Sequence, residues 1–135
     1  MKFIRILLVE DSGVELDEIT GAFVNASAIS NSDCKVVRAK NKVTATALSQ
    51  EFHYHLVSLD QNIPLNDDPN TSTILGFELA EELARQNKCF YGTIYTNVPE
   101  KDKMVSLINT GFQYREKSVV TDVKSNCYTY HDYCK

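Results

Sequence analysis

Glu10 and Asp11, Asp60, Thr96 and Lys117 each stand at the end of a predicted strand. The strands are Phe3 to Val9, Leu56 to Asp60, Cys89 to Thr96 and the short Phe112 to Lys117. The apolar run Leu56 to Leu59, ending abruptly in an aspartate, suits a strand buried on both faces of a sheet. In open α/β sheets the carboxyl ends of parallel strands are where ligands bind and chemistry is placed. Three carboxylates brought to one such edge repel one another, and a hard divalent cation relieves that. Magnesium suits them, because it takes one or two carboxylates, keeps several waters and reaches for phosphate oxygens. A lysine adds a mobile point charge for an anion, and a threonine a hydroxyl donor. The set describes a site for a phosphoryl group, with Asp60 as the carboxylate placed to be its nucleophile.

The elements that must position these residues alternate regularly. After the first strand, a helix is predicted from about residue 13 to 28, with Leu16, Ile19, Phe23 and Val24 on its apolar face. A turn at Asn31-Ser32-Asp33 leads to a second strand, Cys34 to Arg38. Val43, Ala47, Leu48 and Phe52 are read as the stripe of a second helix before the Asp60 strand. Pro64 stops further pairing, and a long polar loop follows, expected to move freely because no apolar residue anchors it before Ile74. Phe77, Leu79, Ala80 and Leu83 mark a third helix ending near Asn87-Lys88, and Cys89 to Thr96 a fourth strand. Met104, Val105, Leu107 and Ile108 carry a fourth helix that stops at Gly111, before the fifth strand. Val120, Val123, Cys127, Tyr130 and Cys134, spaced by three and four, close the chain with a fifth helix. Five β-α units in sequence predict a doubly wound α/β fold. Its five-stranded parallel sheet has the order 2-1-3-4-5 and is flanked by five helices, as in flavodoxin-like folds.

Composition bounds the function. The chain has 135 residues, 43% hydrophobic and 24% charged, which suits one soluble domain spanning 1–135 with its own core. A net charge of -4 and no basic stripe exclude a nucleic-acid surface. Arg5 breaks the opening run and no small-residue cleavage site follows, so it is no signal peptide. Nothing reaches the length of a membrane span, and the cytoplasm is the expected location. Cys34, Cys89, Cys127 and Cys134 form no close metal-type pair and read as reduced, packed cysteines. His53 and His55 read as surface histidines, and Asp67 and Asp68 as a solvated acidic loop. Tyr128, Tyr130 and Tyr133 are either an interaction surface or half-buried packing.

The segments "ILLVEDS", "HLVSLDQNIP", "IYT" and "YREK" together resemble the receiver domain of two-component response regulators, and the resemblance runs from Ile4 to the last helix. It implies that Asp60 accepts a phosphoryl group from a histidine kinase or phosphotransfer protein. Magnesium would then be held by Glu10, Asp11, Asp60 and the backbone carbonyl of Asn62. Thr96 would bind a phosphoryl oxygen and Lys117 would pair with the acyl phosphate. Tyr114 would be the rotating aromatic of a switch carried by the fourth helix, fifth strand and fifth helix, acting on a downstream protein or a second copy of the chain. The chain would be a stand-alone receiver without an output domain, catalysing nothing beyond gain and loss of its own phosphoryl group.

It also departs from the family pattern. Ser118 replaces the usual proline after Lys117, so a trans bond is expected there, since a non-proline cis bond costs about 2.5–4 kcal/mol. The loop between Pro64 and Gly76 is longer than usual, Asn97 follows Thr96 where a small residue is typical, and Gly111 lies close to the aromatic. Two alternatives stand beside this reading. One is a pseudo-receiver that docks without phosphate. The other is a magnesium-dependent phosphohydrolase with an aspartate nucleophile, disfavoured because Asn62 holds the place of its general acid.

Overall fold

The computed structural model describes residues 2–68, 70–71, 75–86, 89–96 and 112–116; in the last two strands it describes the side chains of 92–94 and 112–113. Five strands and three helices follow in the order β1 Lys2–Val9, α1 Gly13–Ile29, β2 Ser32–Ala39, α2 Lys42–Glu51, β3 Tyr54–Asp60, α3 Gly76–Arg85, β4 Cys89–Thr96 and β5 Phe112–Glu116. All strands pair in parallel in the order β2-β1-β3-β4-β5. The doubly wound sheet is therefore as the strand spacing predicts, and the fourth and fifth helices fall outside the described residues.

Alternation along the central strands sends side chains to two cores. Ile4, Ile6, Leu8 and Leu56 pack with Leu16, Ile19, Phe23 and Ala26 of α1. Leu7, Val9, Val57 and Leu59 pack on the other face with Ala45 of α2 and Phe77, Leu79, Ala80 and Leu83 of α3. Helices on both faces explain why Ile6 to Val9 and Leu56 to Leu59 are buried at consecutive positions.

Two helix faces differ from expectation. Val24 is exposed, and the buried line of α1 runs Leu16, Ile19, Ala22, Phe23, Ala26. In α2 the buried positions are Ala45 and Ser49, with Leu48 packed beside them, whereas Val43 and Phe52 are exposed and Ala47 also faces outward. Small residues let α2 lie close to the sheet, and its larger apolar residues find other partners. Phe52 stacks on the Arg5 guanidinium, 4.4 Å from the ring centre. Helix α1 ends where Asn31 takes a left-handed φ of 51°, a conformation asparagine tolerates, and β2 begins at the next residue.

The start of the long loop is tied to α2. Lys42 and Val43, whose N–H groups have no partner within their own helix, donate to the carbonyls of Pro64 and Leu65 at 2.9 Å each. Asn41 caps the helix by accepting from Thr44 N–H at 2.8 Å, and its amide Nδ2 donates to Asp67 Oδ1 at 2.9 Å. The loop, expected to move freely for want of an apolar anchor before Ile74, is held at its start by polar ones. Asn41 is buried and serves both partners, so Asn41→Ala is expected to cost about 1–2 kcal/mol. Urea denaturation reads that loss, and hydrogen exchange of the Lys42 and Val43 amides reads whether the loop is released with it.

His55 is not a free surface histidine. Its Nδ1 accepts from Arg5 N–H at 2.9 Å, just outside the β1–β3 ladder that begins at Ile6 and Leu56. Burial, then the charges of Arg5 and Lys2, hold its pKa below the usual 6.5. The fold thus favours the neutral ring. Its contribution is complete above about pH 6.5 and is lost as pH falls through the lowered folded-state pKa, below which both states are charged. Stability is expected to drop between pH 7.5 and 5.5, and less steeply in His55→Gln. Parallel slopes for the two proteins would count against this.

Candidate functional site at the carboxyl edge of the sheet

Register brings the strand ends together. Val9 pairs with Leu59, so Glu10 follows β1 level with Asp60 at the end of β3. Asp60 pairs with Tyr95, and Thr96, the next residue of β4, pairs with Glu116 of β5. Glu10 extends the edge by one bond, its N–H donating to Ala39 carbonyl at 3.0 Å. Glu10 and Asp60 are 3% and 6% exposed, an unusual burial for carboxylates.

Turns after the strands hold both groups. Glu10 Oε1 accepts from Ser12 N–H at 3.2 Å, and Ser12 Oγ, the N-cap of α1, accepts from Glu15 N–H at 3.3 Å. Asp60 Oδ1 accepts from Asn62 N–H at 3.3 Å. Behind Asp60, Ile63 N–H and Gly76 N–H both donate to Gln61 carbonyl at 3.1 Å, which seats the start of α3 against the turn. No Cβ fits at Gly76, since one would overlap the Asp60 carbonyl oxygen.

One oxygen from each of Glu10, Glu15 and Asp60 lies within 4.8 Å of the others. Two unit charges at that distance repel by about 3 kcal/mol at an effective dielectric of about 20. A cluster of hard, anionic oxygen donors with two members buried fits a magnesium ion, which would supply charge neutralisation and orientation for phosphate oxygens.

The structure brings Glu10 and Asp60 together as the sequence predicts. Asp11 is exposed and stands outside this carboxylate cluster. Asn62 is exposed beside Asp60. Thr96 and Tyr114 are placed by backbone register alone, at the end of β4 and opposite Ile94 in β5. Lys117 and the Lys117–Ser118 bond lie outside the described residues. Asp67 and Asp68 are exposed and, among the described residues, take no part in the cluster. Glu15 is the third carboxylate of the cluster; its spacing in Ser12-x-x-Glu15 is that of a helix capping box, so the sequence alone gives no reason to place it at the site.

No protein-family model and no curated protein matches the chain. Solved structures do. The chemotaxis response regulator CheY4 of Vibrio cholerae superposes with a TM-score of 0.70 at 16% identity, over 98% of this chain and 99% of that one. The signal receiver domain of an HD domain-containing protein from Pseudomonas fluorescens gives 0.70 at 17%, over 97% and 94%. The phosphorylated cyanobacterial phytochrome response regulator RcpA gives 0.68 at 17%, over 96% and 90%. Across nearly its whole length, the chain has the fold of the response regulator receiver domains.

Proposed function

We propose that this chain is a phosphorylation-operated receiver, with Asp60 as phospho-acceptor. The observation that carries the reading is the position of Asp60: buried at the carboxyl end of the central strand, within 4.8 Å of two further carboxylates. A carboxylate oxygen of Asp60 attacks phosphorus, the bond from phosphorus to the donor's leaving atom breaks, and the leaving group departs with the electron pair. The donor class is a phosphohistidine of a kinase or phosphotransfer protein. Glu10, Asp11, Asp60 and the Asn62 carbonyl would hold magnesium, whose charge offsets that of the entering phosphoryl oxygens. Thr96 donates its hydroxyl to one of those oxygens, and Lys117 places its ammonium against another.

In this reading the chain is a single domain at work in the cytoplasm. Its chemistry is confined to gaining and losing the phosphoryl group. Drawing Thr96 inward vacates space for Tyr114, and the surface of the fourth helix, β5 and the fifth helix carries the signal to a separate protein or a second copy. A swing from about 1:99 to 99:1 needs about 5.5 kcal/mol. Charge-assisted hydrogen bonds at about 1.5–3 kcal/mol each supply part of it, so partial switching is the outcome to look for. The direct test is intact-mass detection of an acid- and base-labile adduct after treatment with a small acyl phosphate and magnesium. An unmodified mass under those conditions would leave a docking module that works without phosphate.

A further inference from the structure

We propose that Glu15, in the first turn of α1, belongs to the carboxylate shell of the divalent ion at Asp60; this rests on the receiver reading of that site. The ordinary role for a glutamate at this position is helix capping. In a capping box the side chain of the third helical residue reaches back to the N-cap N–H. Here that N–H is already taken: Ser12 N–H donates to Glu10 Oε1 at 3.2 Å. Half of the box is kept, since Ser12 Oγ accepts from Glu15 N–H at 3.3 Å and so fixes the backbone of the turn. With the reciprocal bond supplied by Glu10, the Glu15 carboxylate lies within 4.8 Å of oxygens from both Glu10 and Asp60.

This arrangement has an electrostatic consequence. Glu10 and Asp60 are almost wholly buried, and Glu15 is half-buried beside them. The positive end of α1 favours a carboxylate in its first turn, which stabilises Glu15 there without calling for it to approach two other acids. Three anionic oxygens converging from two strand ends and a helix start form a hard donor set, with Glu15 directly in the shell or joined to it through one water. The role is one of positioning and charge: Glu15 strengthens retention of the ion and adds to the negative charge that the ion must offset before a phosphoryl dianion enters.

The capping and ion-shell roles predict different magnesium affinities for Glu15→Gln in the full chain, because glutamine can still serve a capping box but cannot supply the charge. Calorimetric titration with magnesium alone is expected to show affinity weakened by about tenfold or more, the scale seen when groups supporting metal ligands are removed. Without metal, the melting temperature should stay level or rise, because one of three close negative charges has gone. Glu15→Asp, which keeps the charge on a shorter stem, should recover part of the affinity. Unchanged magnesium affinity in Glu15→Gln, with or without a lower metal-free melting temperature, overturns the proposal and leaves Glu15 a capping residue. If that happens while the wild type binds magnesium and is phosphorylated on Asp60, the receiver reading stands and this inference alone falls. If the wild type neither binds magnesium nor takes up phosphate, both fall together.

Discussion

Treated with a small acyl phosphate and magnesium, the wild-type chain is expected to gain one phosphoryl group, and Asp60→Asn none. The amide keeps the shape of the acceptor and removes its nucleophilic oxygen, so labelling should vanish while the fold survives. Asp60 sits within a cluster of like charges, and Asn relieves repulsion with Glu10 and Glu15. Chelating the divalent ion should abolish labelling of the wild type too. At about 3 kcal/mol for each pair of charges near 5 Å apart, an unneutralised cluster opposes an incoming dianion by more than one favourable hydrogen bond returns. A protein labelled equally well with Asn at the acceptor position would carry its phosphate elsewhere and would sink the assignment of Asp60. Labelling that persists in excess chelator would instead remove the metal from the reading.

Much of this architecture is legible in the sequence, for identifiable reasons. Strands buried on both faces must be apolar at consecutive positions, so β1 and β3 announce themselves, and so do the acids that end them. α1 and α3 bury large residues at helical spacing. α2 was misread because what it buries is small: Ala45 and Ser49 carry little hydropathic signal, while Val43 and Phe52 carry much and face outward. The loop after Pro64 looked unanchored because composition does not reveal that its carbonyls satisfy the first N–H groups of α2. His55 was hidden in the same way, its partner Arg5 lying fifty residues away in sequence. At the site, Glu10 and Asp60 were readable from strand ends. Glu15 was not, since its spacing from Ser12 fits an ordinary helix cap and only the structure puts its carboxylate beside those at the ends of β1 and β3.

Gly76→Ala is expected to disturb Asp60 more than its single methyl group suggests. Gly76 opens α3, and its N–H donates to Gln61 carbonyl at 3.1 Å. A Cβ added there would overlap the Asp60 carbonyl oxygen and lie 2.7 Å from Gln61 Cα and 3.0 Å from Gln61 carbonyl oxygen. All three neighbours are backbone, so no flexible side chain can swing aside. Either α3 lifts, disturbing Phe77, Leu79 and Ala80 in the core, or the Asp60–Gln61 backbone moves. Overpacking of this kind typically costs about 1–3 kcal/mol. Displacing a reacting group by about 1 Å can cost about a hundredfold in rate. We therefore expect a lowered urea midpoint together with Asp60 phosphorylation slowed by about that factor under conditions where the variant remains folded. Gly21→Ala is the matched control. It lies on the exposed side of α1 with nothing within 4 Å of an added Cβ, and replacing a mid-helix glycine should stabilise by about 0.5–1 kcal/mol with phosphorylation unchanged. If Gly76→Ala behaves like Gly21→Ala in both measurements, close seating of α3 against the acceptor turn is not what holds Asp60 in place.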